Sequence, residues 1–92
     1  MRATILWDLE DDPEGNVRHI AEHGVTMDDV EDVLDDPDNS TENSARSDRL
    51  VTFGETREGR YLAVIWEEVL DDPRTIYPVT AYEVPRPRSK RR

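Results

Sequence analysis

Apolar residues fall along this chain in short runs of differing period. Thr4-Ile5-Leu6-Trp7 is β-branched or aromatic and meets the acidic turn Asp8–Pro13, which predicts a strand and its end. Pro13 suits a first helical position behind an Asp12 N-cap, with Glu14 near the positive end of the helix dipole. Val17, Ile20 and Ala21 then recur at helical spacing until Gly24, predicting a first helix of about three turns. Thr26 and Asp29 form a capping-box-like pair, and Val25 and Val30 take the two places of a hydrophobic staple. The second helix that follows has Val30, Val33 and Leu34 as its apolar stripe and Asp28, Asp29, Glu31 and Asp32 as its wet side, and Pro37 stops it.

Residues 37–48 carry no large apolar side chain and predict a long loop. Beyond it, Leu50–Phe53 and Arg60–Val69 predict two strands about a glycine-containing link, a hairpin. The unbroken apolar run Tyr61–Trp66 predicts a central strand. Leu70–Pro73 reads as the next turn and Thr75–Tyr82 as the last strand, where Pro78, lacking an N–H, predicts an edge position or a bulge. The order is therefore β-α-α-β-β-β. Short links between successive strands predict an antiparallel sheet with both helices on one face, an α+β two-layer sandwich. Its core is expected where Val17/Ile20/Ala21 and Val30/Val33/Leu34 pack onto Leu62, Val64 and Trp66 or their alternates.

Ninety-two residues support a single core, assigned to residues 1–84. The charge is uneven: 22 acids against 12 bases give −10, yet the last eight residues, PRPRSKRR, hold five bases and no acid. Residues 1–84 thus carry seven bases against all the acids, a charge of −15, and residues 85–92 form a basic, Pro-containing tail expected to be extended and disordered. An acidic body argues against binding nucleic acid by blanket neutralisation of phosphates. The lack of cysteine excludes disulfides, thiolate metal sites and thiol nucleophiles. No run approaches the roughly 20 apolar residues of a membrane span, and no signal-peptide pattern opens the chain, so a cytoplasmic protein without membrane contact is expected.

His19 and His23 stand four apart, so on one helix they share a face, with His23 at the C-terminal end. Imidazole serves as acid or base near neutral pH. Arg46, Arg49 and Arg60 are the candidate phosphate ligands, because guanidinium groups bind phosphate bidentately. Plainer roles stand beside these: a surface His19, a capping His23, arginines paired with the surplus acids, and Tyr82 in packing. The histidine pair lacks a third metal ligand, Pro13 stands where a calcium loop requires glycine, and Glu67 and Glu68 point to opposite sides of a strand. Neither a metal nor another cofactor is expected.

Three stretches resemble one family when taken in order. Trp7-Asp8, Asn16 with His19 and His23-Gly24-Val25, and the acidic helix ending Asp35-Asp36-Pro37 are similar to the N-terminal half of BrnT-type toxins, ribonucleases of bacterial type II toxin–antitoxin pairs. Arg46 and Arg49 leading into Phe53-Gly54 and the Gly59-Arg60 hairpin resemble that family's arginine-bearing strands, and Tyr77–Tyr82 its last strand. The resemblance spans most of residues 5–84. It implies a RelE-like fold, a cognate antitoxin as partner, and metal-independent cleavage of RNA. In that reading His23, Arg60, His19 and Tyr82 are the candidate catalytic residues, and Arg46 and Arg49 contact RNA phosphates. The family commonly has lysine where this chain has Glu22, and its members are generally basic. The alternative is a non-catalytic, acidic protein-interaction module of the same fold. An enzyme requires the arginines and a histidine in one cleft, whereas a module leaves them scattered in surface pairs.

Overall fold

The computed structural model describes residues 3–44 and 48–87. Seven elements follow in order: β1 (Thr4–Ile5), α1 (Asn16–Ala21), α2 (Met27–Asp35), β2 (Ser40–Asn43), β3 (Leu50–Glu55), β4 (Tyr61–Asp71) and β5 (Arg74–Glu83). They make a mixed α+β fold with one five-stranded sheet, ordered β1-β5-β4-β3-β2. Among the described residues no helix is long and apolar enough to cross a membrane.

Two features correct the expected sheet. β1 runs parallel to β5, pairing Thr4 with Thr75 and Ile5 with Ile76, so the sheet is mixed and not purely antiparallel. Short links dictate hairpins only between successive strands; the partner of the first strand depends on where the two helices return the chain. The second correction is β2, which lies inside the expected loop and pairs with β3 from Ser40↔Phe53 to Asn43↔Leu50. All four of its residues are exposed, so it carries no apolar alternation. It is held by ladder hydrogen bonds and by a 2.7 Å contact between the Thr41 and Thr52 hydroxyls.

Both helices cover the same sheet face. Ile20 of α1 and Val30, Val33 and Leu34 of α2 share one core with Leu62, Val64 and Trp66 of β4 and Ile76 and Ala81 of β5. Trp66 is 1% exposed, and its indole N–H donates to the Thr52 hydroxyl at 2.9 Å, which satisfies its one polar atom. The capping box forms as expected: Asp29 N–H donates to Thr26 Oγ1 and Thr26 N–H to Asp29 Oδ2. Pro78 sits at a register irregularity opposite Ile65 and Trp66. Gly54 is required because a Cβ there would run into the Asn39 amide, which donates to Val33 O at 2.7 Å and ties the approach to β2 onto α2.

The first helix starts later than expected. Asp12–Gly15 form a turn in which Gly15 N–H donates to Asp12 O, and α1 begins at Asn16 behind a Gly15 N-cap without a side-chain cap. Ala21 is exposed, and buried Asn16 replaces it beside Ile20. The Asn16 amide is fully engaged: Oδ1 accepts from Asp8 N–H at 2.9 Å, and Nδ2 donates to Leu6 O at 3.1 Å and Pro78 O at 2.9 Å. The Asp8 carboxylate in turn accepts from Asn16 N–H and from the Tyr77 hydroxyl.

The basic tail is anchored at its start. Val84 N–H donates to Tyr61 O at 2.9 Å, and Arg86 donates to Glu55 Oε2 and Gly59 O, both at 2.6 Å, with its guanidinium 6.0 Å from the Tyr61 ring. At the start of the expected tail one arginine thus holds both a carboxylate and a carbonyl. Residues 88–92 lie outside the described residues.

Two outcomes are expected from the Asn16 junction. Asn16→Ala strands one buried and two part-buried polar groups and lowers the free energy of unfolding by about 2–3 kcal/mol, measured by urea denaturation. The second concerns pH. The Tyr77 hydroxyl, then the Asn16 N–H, hold the Asp8 carboxyl below the usual carboxylate range against the opposing effect of burial. The same bond, with burial and the nearby acids, raises Tyr77 from 10.0 to about 12. Asp8 therefore contributes stability above the ordinary carboxylate pKa that is lost as pH falls through its lowered value. Tyr77 contributes stability below pH 10 that is lost as pH rises toward 12. Denaturation curves across this alkaline window are expected to flatten in Tyr77→Phe.

Candidate functional site

Around the turn between α1 and α2, four of the expected site residues, His19, His23, Arg60 and Tyr82, lie at one end of the sheet. α1 stops at Ala21, and Gly24, at φ +73°, reverses the chain where L side chains are strained. His23 thus lies just past the helix and not within it, yet it keeps its neighbours. Its ring stacks at 6.2 Å on His19 and meets the Tyr82 ring edge-on at 5.9 Å. Tyr82 and Glu83 end β5, and Glu83 is in register with Leu62 near the start of β4. Residues 59 positions apart, His23 and Tyr82, become contacts because β5 ends beside the turn.

Arg60 locks the same corner. Its Nη1 donates to Gly24 O at 2.8 Å and lies 3.5 Å from Asp29 Oδ2, while Nε donates to Glu83 Oε1 at 3.3 Å. One guanidinium therefore joins the α1–α2 turn, the first turn of α2 and the end of β5. Its side chain is 28% exposed, so these bonds are stronger than those of a fully solvated arginine. Asp29 serves twice, capping α2 and pairing with Arg60.

Arg49 stands elsewhere and bonds Glu67 Oε2 at 2.9 Å. Glu67 is seven residues along β4 from Arg60, about 23 Å at strand rise, so Arg49 and Arg60 do not converge. Arg46 lies outside the described residues. Among the described residues, Arg60 stands beside the two histidines and Tyr82, and Arg49 does not join it. Hairpin pairing separates Arg49 from Arg60 because they occupy opposite ends of the β3–β4 ladder.

Sequence reasoning undervalued two members, Glu83 and Asp29. Glu83 is absent from the expected site residues; its place directly after Tyr82, on a strand neighbouring the one Arg60 opens, is the available signal. Asp29 looked complete as a capping residue.

Beside the corner, a cleft of about 610 Å³ runs along α2, with Asp28, Asp32, Asp35 and Glu58 on its walls and Arg57 and Arg60 among them. Its surplus of carboxylates repels phosphate from the α2 side. The chemistry on offer is proton transfer by imidazole next to a cation already balanced by two carboxylates. Among the described residues no group of three or more His, Cys, Asp or Glu is placed to hold a metal ion.

Arg60→Ala is expected to lower stability by about 1–2 kcal/mol, because it frees a carbonyl and two acids at a partly buried corner. Arg57→Ala, which loses one pair to Asp32 from an 86% exposed side chain, is expected to stay within about 0.5 kcal/mol. Parallel urea titrations compare the two. No family model matches the chain, and no curated protein matches it.

Proposed function

We propose that this chain is a toxin of the BrnT-like, RelE-like kind that cleaves RNA without a metal and is held in check by an antitoxin. The observation that carries the reading is the meeting of His19, His23, Arg60 and Tyr82, chosen on the sequence resemblance and contributed by α1, the turn after it and the two central strands, at one corner. In this reading His23 exchanges the proton of the 2′-hydroxyl and leaving oxygen, with His19 stacked behind it and Tyr82 fixing its ring. Arg60 stabilises the charge that grows on phosphorus, exchanging its exposed partner Glu83 for a phosphate oxygen.

A specific observation favours a second reading. Arg60 and Arg49 already hold carboxylates, and the α2 face is acidic, which is the arrangement of a non-catalytic module that captures a basic partner.

Induced expression without a partner is expected to slow growth with cleavage of cellular RNA. His23→Ala and Arg60→Lys are each expected to reduce cleavage by the purified, antitoxin-free protein by a factor of about 10². Melting curves of the variants establish that they are folded. Intact RNA and normal growth with the unaltered protein would transfer the assignment to the acidic module.

A further inference from the structure

The turn that joins β3 to β4 holds an arginine from another part of the chain. Gly59, at φ +89°, donates its N–H to Thr56 O at 2.9 Å. The buried Thr56 bonds Arg60 in both directions, its N–H donating to Arg60 O at 2.7 Å and its hydroxyl accepting from Arg60 N–H at 3.1 Å. The Gly59 carbonyl is therefore fixed by the hairpin itself, beside the Glu55 carboxylate that ends β3. Tyr61 opens β4, and its ring is backed by Phe53 at 6.5 Å with 13° between the planes. Carbonyl, carboxylate and ring converge on one guanidinium: Arg86 Nη2 donates to Gly59 O and Glu55 Oε2, both at 2.6 Å, and the group lies 6.0 Å from the Tyr61 ring centre. Pro85 and Pro87, on either side of this arginine, border the same cavity as Phe53 and Tyr61.

We propose that this turn is a binding site for a Pro-Arg-Pro segment of a partner protein, and that Arg86 is its exchangeable occupant within the chain. The three groups of the site belong to the hairpin and not to the tail, so they stay in place when the occupant changes. They match what guanidinium offers and ammonium does not: a planar cation that lies against a ring while its N–H groups reach a carboxylate and a carbonyl. The flanking prolines hold the segment extended at small entropic cost, the general advantage of proline-rich ligands on aromatic surfaces. Arg86 itself is weakly bound. Its side chain and that of Glu55 are 53% and 50% exposed, and solvated ion pairs contribute little. Proximity keeps it in place, because Arg86 follows closely on the end of β5 at Glu83, which sets an effective concentration of about a millimolar or more. A partner that adds contacts of its own overcomes that advantage. A second copy is the poorer occupant, since its own arginine is held equally and two chains of net charge −10 repel. The site uses the backbone of Gly59 and leaves the Arg60 side chain on Gly24, Asp29 and Glu83, so it holds whether or not that corner cleaves RNA.

The test titrates the full chain carrying Arg86→Ala and Arg88→Ala, the two tail arginines that follow a proline, with the synthetic peptide Ala-Pro-Arg-Pro-Ala at an ionic strength of about 0.15 M. Saturable binding that shifts the amide resonances of Glu55, Gly59 and Tyr61 is expected. Lysine in place of the peptide arginine, and Glu55→Gln added to the protein, are each expected to weaken it about tenfold. The unaltered chain is expected to bind at least about tenfold more weakly, because Arg86 competes. There, excess peptide is expected to shift the side-chain Nε resonance of Arg86, a measurement that needs no variant to fold. Absence of saturable binding to the variant, equal binding of the lysine peptide, resonance shifts centred on α2, or dimerisation of the unaltered chain that Arg86→Ala abolishes would each overturn the proposal. None of these readouts involves RNA cleavage, so failure here is distinguishable from failure of the ribonuclease assignment.

Discussion

The reciprocal pairing of Asn16 with Asp8 is the junction on which the arrangement of helices and sheet depends. α1 is only six residues long, too short to persist alone, and has no side-chain N-cap. Its place is fixed because Asn16 uses its whole amide to hold three segments: the turn at Asp8, the end of the β1 segment at Leu6 and the β5 carbonyl of Pro78. Pro78 cannot donate to the ladder, and the register irregularity beside it leaves its carbonyl for Asn16. Tyr77, the preceding residue, closes the loop by bonding Asp8. Each buried polar group is satisfied by another, which makes the junction specific as well as strong. Through it the helix orientation, and with it the direction of the turn carrying His23, follows from β5.

Arginine does the corresponding work at the surface. Arg49, Arg57, Arg60, Arg74 and Arg86 each hold a carboxylate within 3.5 Å, and four of the five pairings link residues at least 18 apart in sequence. In a body with so large an acid surplus each cation relieves repulsion as well as making one pair, so these bridges counter the field that opposes compaction. Glu55 shows the effect: the hydrogen bond from Arg86, and then its charge, keep the carboxyl below the usual range. The same bond fastens the start of the basic tail to the β3–β4 hairpin.

What was legible in the sequence was what local chemistry determines. The T-x-x-D box, the Val30/Val33/Leu34 stripe and the apolar run at 61–66 each contain their own signal, and the second helix, the central strand and the core lie where they predict. The Ser40–Asn43 strand was illegible because an exposed edge strand needs no apolar residue, and the parallel β1–β5 pair because its signal is split across some seventy positions. The start of α1 was misplaced because Pro13 and Asp12 suit a tight turn as well as a helix start. At the candidate site, the residue types were readable and their convergence was not: His19 and His23 are neighbours by helical spacing, whereas Tyr82 and Arg60 arrive only through strand register.

Under the proposed function, Arg60 carries two demands that constrain each other. As a strut it holds Gly24 O, Asp29 and Glu83; as a cation for phosphate it must release at least one of them. The three are not equal. Asp29 is committed to the cap of α2 and is 11% exposed at its side chain, and Gly24 O belongs to the reversal that sets His23. Glu83, at 3.3 Å, is nearer than Asp29 at 3.5 Å, but it is 57% exposed, at the end of a strand, and makes the weakest claim by solvation. Exchange at Glu83 leaves the turn, the cap and the position of His23 in place while freeing the Nε side of the guanidinium. Under the proposed function, Glu83 therefore decides whether this arginine stays structural or becomes available to a substrate.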